Sequence, residues 1–174
     1  MRITGGEFKN LRINAPEDIR PTQDSVRLAI FNVIGERIEN ANFIDLFAGS
    51  GAVGIEALSR GAERIVFVDS SVKVIKEIKS NIGIIDSDDS YKDKITIINK
   101  KFSQVELQDL LIPGRQNILF ADPPYNKGYV KLLFEKFAGV NRSESDIFII
   151  EHSKHEDIVE GKHYKFGDTL LTFL

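Results

Sequence analysis

Apolar positions along the chain fall into two rhythms. Short unbroken runs at 42–47, 64–68, 94–98, 117–121 and 146–150 have the length and β-branched content of buried strands. Between them, 51–60, 71–82, 103–111 and 129–137 carry apolar residues at helical spacing. The middle of the chain therefore reads as a βαβ series, which implies a mostly parallel sheet covered on both faces. Upstream, Val26, Ala29, Ile30, Val33, Ile34 and Ile38 share one face of a helix for which Asp24 offers an N-cap. The first thirteen residues alternate around Gly5-Gly6 as a small hairpin would. Segments 163–166 and 169–174, separated by Gly167-Asp168, predict an antiparallel pair that closes the sheet. The polar, acidic stretch 86–93 reads as a loop. The expectation is a single α/β domain over 1–174, with a Rossmann-like core at 41–174 and a hairpin-plus-helix extension at 1–40.

Two motifs sit where such a core places ligands. The first predicted strand runs from Asp45 through Phe47 and Ala48 into Gly49-Ser50-Gly51-Ala52-Val53-Gly54, a G-x-G-x-x-G between a strand and a helix. Glycines there allow a sharp turn, close backbone approach to a ligand and tight helix-to-sheet contact. Asp69 ends the second strand, twenty positions after Gly49 and beside Ser70, where a carboxylate can accept hydrogen bonds from both hydroxyls of an adenosine ribose. A dinucleotide would satisfy much of this. However, Asp45 just ahead of the loop suits a ligand bearing an ammonium group, and S-adenosylmethionine carries one. A bare βα turn with Asp69 as a helix cap would leave the combination of strand, loop, helix and acid without a purpose.

The fourth strand ends in Asp122-Pro123-Pro124-Tyr125, at the carboxyl edge of the sheet. An exocyclic amine on a nucleobase is a poor nucleophile because its lone pair is delocalised into the ring. Two hydrogen-bond acceptors that hold its N–H groups change that. The Asp122 carboxylate can take one N–H and the Pro123 carbonyl the other, while the stiff Pro123-Pro124 step fixes the carbonyl's direction. The Tyr125 ring offers a stacking surface for an extruded base, worth roughly 1–3 kcal/mol. Methyl transfer then needs positioning and an acceptor for one proton, and no metal.

Composition narrows the field without naming a partner. The absence of cysteine excludes disulfides, thiolate zinc sites and cysteine nucleophiles. Met1-Arg2-Ile3-Thr4-Gly5-Gly6 lacks the apolar stretch of a secretory signal, and the chain reads as a soluble, cytoplasmic, monomeric protein. A formal charge of -3 runs against nucleic-acid binding unless basic residues gather locally, for which Lys100, Lys101, Lys127 and Lys131 are candidates. His152 and His155, flanked by Glu151 and Glu156, lack a third metal ligand and read as ordinary polar residues near a strand end.

The two motifs, taken with Arg2-Ile3-Thr4-Gly5-Gly6, Arg20-Pro21-Thr22, Val26-Arg27, Phe31-Asn32 and Gly167-Asp168-Thr169, resemble the RsmD family. These are bacterial methyltransferases that modify the N2 amine of a guanine in small-subunit (16S) ribosomal RNA. The likeness implies a Rossmann-like class I S-adenosylmethionine-dependent methyltransferase. It places Asp45, Phe47, Ala48, Gly49, Ser50, Gly51, Asp69, Ser70 and Phe102 at the cofactor and 122–125 at the guanine amine. Arg20, Thr22 and Arg27 fall near RNA. Two departures stand out. Leu28 follows Arg27 where the family commonly has an acid, which leaves Arg27 without an obvious partner, and Lys101-Phe102 replace a small polar residue and alanine. The acidic net charge points to RNA presented within a ribosomal particle. A DNA adenine- or cytosine-amine methyltransferase would need a larger recognition insertion. Glutamine methylation in proteins typically uses Asn at the position of Asp122. An NAD enzyme or a non-catalytic RNA-binding scaffold would not explain Asp122-Pro123-Pro124-Tyr125.

Overall fold

The computed structural model describes residues 1–14, 24–86, 90–156 and 160–174. Seven strands form one sheet: β1 (Asn42–Leu46), β2 (Arg64–Asp69), β3 (Ile95–Asn99), β4 (Asn117–Ala121), β5 (Ile147–Ser153), β6 (Lys162–Phe166) and β7 (Thr169–Phe173). They lie in the order β3-β2-β1-β4-β5-β7-β6. The first five are mutually parallel, and β7 inserts antiparallel between β5 and β6. The chain leaves β1 toward β2 on one side and later returns to β4 on the other. A crevice therefore opens at the carboxyl ends of β1 and β4, where a reversal of strand order places ligands in open α/β sheets.

Both faces of the sheet are covered, which explains why the central strands are apolar without alternation. One face, carrying Phe43, Phe67, Phe120 and Ile149, packs against α1 (Asp24–Ile34), α2 (Ala52–Ser59) and α3 (Val72–Ile85). The other, carrying Leu46, Val68, Leu119 and Phe148, packs against α4 (Tyr129–Ala138) and the segment after β3.

Two local expectations give way to packing. Segment 103–111 is not an α-helix but two 3-10 turns, Phe102–Gln104 and Leu107–Leu110. Phe102, Val105, Leu107 and Leu110 are all buried. A helix would turn Val105 and Leu107 to different sides, so the chain extends between the turns to bury both. At the N-terminus the expected hairpin closes: Arg2 and Arg12 make an antiparallel β-bridge, with Ile3 N donating to the Leu11 carbonyl and Ile13 N to the Met1 carbonyl, each at 3.0 Å. Its turn docks on α2, with Glu7 N donating to the Ser59 carbonyl at 2.7 Å and Phe8 N to Ser59 Oγ at 2.8 Å. His152, read from the sequence as an ordinary polar residue near a strand end, is fully buried. Its Nδ1–H donates to the Ser153 carbonyl at 2.9 Å and its Nε2 accepts from Thr172 Oγ1 at 2.8 Å, which ties β5 to β7. Burial lowers its pKa, in keeping with a neutral ring.

Candidate active site

The carboxyl ends of β1, β2 and β4 border a cleft of about 740 Å³. The chain leaves β1 through three left-handed residues, Phe47 (φ 64°), Gly49 (φ 53°) and Gly51 (φ 77°). Phe47 holds this unfavourable conformation because its ring is packed against Phe102 at 5.2 Å and Tyr129 at 5.1 Å. The three rings wall one side of the cleft. The last glycine of the motif, Gly54, serves packing: a Cβ there would lie 2.3 Å from Phe67 Cε1. Helix α2 can therefore approach β2 only without a side chain at this position.

Asp45 is fully buried, and its Oδ2 accepts from Gly54 N at 3.0 Å. Burial pushes its pKa well above the usual carboxylate range, and the charges of Asp122 and Asp69 push it further, against the opposing bond from Gly54. Asp69 is fixed by both oxygens, with Oδ1 accepting from Ser71 N at 2.8 Å and Oδ2 from Gly49 N at 3.3 Å. Each oxygen keeps a further lone pair for a ligand hydroxyl. The glycine turn is braced from behind by Asn81, whose Nδ2 donates to the Ser50 carbonyl at 2.9 Å and to the Asn14 carbonyl at 3.0 Å.

This charge pattern discriminates between ligands. Four carboxylates, Asp45, Asp69, Asp122 and Glu151, line the cleft, and the Gly54 amide at the start of α2 is already engaged by Asp45. A pyrophosphate would meet repulsion and one fewer free amide. A cationic cofactor would relieve the strain on Asp45.

At the end of β4, Asp122 is partly buried, Pro123 buried, Pro124 exposed and Tyr125 partly buried. The Tyr125 hydroxyl lies 3.1 Å from Thr169 Oγ1 and donates to Glu151 Oε1 at 3.3 Å. Burial raises its pKa to about 12, so the phenol stays neutral across the working range.

The sequence-based site residues thus come together. Asp45, Phe47, Ala48, Gly49, Ser50, Asp69, Ser70, Phe102 and 122–125 all line the cleft, and Gly51 lies in the turn beneath it. Lys100 and Lys101 stand at its rim. Val26, Tyr129, Glu151 and Thr169 also line it and were not anticipated. Glu151 carried one signal in the sequence, a charge directly after the apolar run 147–150. Arg20 and Thr22 lie outside the described residues.

Arg27 requires a correction. Its side chain is fully buried, donating to Glu56 Oε2 at 2.9 Å, Asp24 Oδ1 at 2.7 Å and the Arg2 carbonyl at 2.6 Å. It is therefore no RNA contact, and its acidic partner is not missing. Leu28 is exposed, and the acids are Asp24, three positions before Arg27 on α1, and Glu56 on α2, 29 positions away in the chain. Glu56 in turn binds Arg60 at 2.8 Å and accepts from the Thr4 amide and hydroxyl.

The sequence model of a family described as "Conserved hypothetical protein 95" matches residues 1–169. The chain belongs to this family, the RsmD family. Among RsmD-like relatives, the putative rRNA methyltransferase YlbH of Bacillus subtilis is 34% identical, across 99% of this chain and 91% of that protein. Ribosomal RNA small subunit methyltransferase D of Buchnera aphidicola (subsp. Acyrthosiphon pisum) is 30% identical over 98% and 87%. A hypothetical protein of Thermus thermophilus superposes with a TM-score of 0.83 at 25% identity, covering 100% of this chain and 98% of that one. The architecture is that of class I methyltransferases.

Proposed function

We propose that the protein transfers a methyl group from S-adenosylmethionine to the exocyclic N2 amine of a guanine in small-subunit ribosomal RNA. The observation that carries this reading is the shared cleft. A cation-favouring nucleoside site built by Asp45, the glycine turn and Asp69 opens onto Asp122-Pro123-Pro124-Tyr125. Membership of the RsmD family and relatives named as ribosomal RNA methyltransferases support the choice of RNA.

The cofactor would supply an electrophilic methyl group on a sulfonium that leaves as a neutral thioether. Asp69 would hold its ribose, Asp45 its cationic end, and Phe47 and Phe102 would flank its adenine. The rest is done by this chain. Asp122 and the Pro123 carbonyl accept the two N–H bonds of the amine and turn its lone pair toward the methyl carbon. Asp122 takes up the proton released once the new C–N bond has formed. Tyr125, neutral and tied to β5 and β7, presents a fixed ring for the extruded base.

The test is transfer of labelled methyl groups to small ribosomal subunits, and to their naked RNA, from cells that lack the host activity. Wild type labels the RNA and favours the assembled particle. Asp122→Ala lowers turnover by about 100-fold or more while its cofactor affinity stays within a few-fold. Equal turnover by Asp122→Ala would overturn the assignment.

A further inference from the structure

Strands β4 and β5 run parallel in register up to Ala121 and Ile150, with Phe120 beside Ile149. Asp122 and Glu151 are the next positions on the two adjoining strands, and both line the cleft. Glu151 is 5% exposed, so its carboxylate is held inside the protein rather than in solvent. Glutamate is seldom buried this deeply without a specific use, and its bond from the Tyr125 hydroxyl is a long one at 3.3 Å. Thr169, on β7, already stands closer to that hydroxyl at 3.1 Å. Anchoring the phenol therefore does not by itself require an acid at 151.

We infer that Glu151 is a specificity-determining residue that reads the N1–H of the target guanine. This rests on the guanine-N2 reading above and adds to it the means of choosing the base. Guanine places an N–H donor at N1 beside its amine, whereas adenine and cytosine place a lone pair beside theirs. With Asp122 and the Pro123 carbonyl on the two amine hydrogens, a third acceptor on the neighbouring strand completes a match to guanine's three adjacent donors. The same acceptor repels the lone pair that adenine or cytosine would bring there. Glu151 selects the base, and Asp122 serves the chemistry.

The experiment compares small subunits assembled on RNA that carries either guanine or 2-aminopurine at the mapped target position. 2-Aminopurine keeps the 2-amine but presents a lone pair at N1. Wild type methylates guanine faster than 2-aminopurine by about 10-fold or more in kcat/KM. Glu151→Gln, which keeps the shape and offers an amide donor, loses rate on guanine and gains on 2-aminopurine, so that the ratio falls below about threefold. Its thermal midpoint and cofactor affinity stay near wild type. Tyr125→Phe, which removes the hydroxyl that Glu151 accepts, keeps the wild-type ratio. An unchanged ratio in Glu151→Gln, or a collapsed ratio in Tyr125→Phe, overturns the inference. Wild-type labelling of neither base overturns the guanine-N2 reading itself.

Discussion

Replacing Arg27 by methionine separates a structural arginine from an RNA-binding one. The substitution keeps most of the apolar stem and removes the guanidinium that joins Glu56, Asp24 and the Arg2 carbonyl. Both Arg27 and Glu56 are 0% exposed, so water cannot replace the bond lost between them. Breaking a buried ion pair from one side costs roughly 3–5 kcal/mol. The low end applies here, because Glu56 retains Arg60 and Thr4. With a urea slope of about 2 kcal/mol per molar, a loss of about 3 kcal/mol lowers the unfolding midpoint by about 1.5 M.

The same cluster sets an acid limb. Burial alone would raise the Glu56 pKa, but the bonds from Thr4 and Arg60 and the charge of Arg27 outweigh it and hold the group below its ordinary 4.5. A depressed carboxylate contributes its full stability above the unfolded pKa and loses it as pH falls through the folded one. Wild-type stability should therefore decline below about pH 4.5, and Arg27→Met should flatten that decline. Urea titrations at pH 7 and along an acid series read both effects. A midpoint shift under 0.3 M, on the order of half a kcal/mol, with impaired RNA methylation would refute the argument and return Arg27 to the RNA.

The remaining predictions concern the cleft. Asp45→Asn removes a buried charge but keeps an acceptor for Gly54 N, so the cofactor-free protein should melt at a higher temperature while binding S-adenosylmethionine at least about 10-fold more weakly by calorimetry. A lower melting temperature would show that Asp45 is not strained in the free protein. Gly54→Ala drives a methyl group into Phe67 and should cost about 1–3 kcal/mol in chemical denaturation; a neutral result would mean that α2 moves away from β2 freely. Asp122→Ala and Glu151→Gln have the outcomes given above, the first in turnover and the second in the choice of base.

Much of this architecture was legible because the signals were local. Apolar runs with no alternation betrayed strands buried on both faces, and the two ligand motifs fell at strand ends, where backbone geometry alone brings them together. What escaped depended on partners distant in sequence. Arg27 looked like a surface cation because the buried carboxylate it meets, Glu56, lies on another helix, while its local partner, Asp24, is itself exposed. Segment 103–111 has helical composition, but a helix would turn Val105 and Leu107 to different sides, and both reach the same core only because the helix is broken. The hairpin at the N-terminus was legible, but the docking of its turn on α2 through Ser59 and Glu56 was not, because those acceptors lie more than fifty positions away. Glu151 entered the site only through the pairing of β5 with β4, which no spacing in the sequence displays.

The most direct test of the account is the identity of the methylated nucleoside. Small-subunit RNA labelled by the wild-type protein, digested to nucleosides and resolved by mass spectrometry, should yield N2-methylguanosine at a single position, and that product should vanish with Asp122→Ala. Label in a methylated adenosine or cytidine, or in protein, would contradict the central claim and leave only the fold and the cofactor half of the site standing.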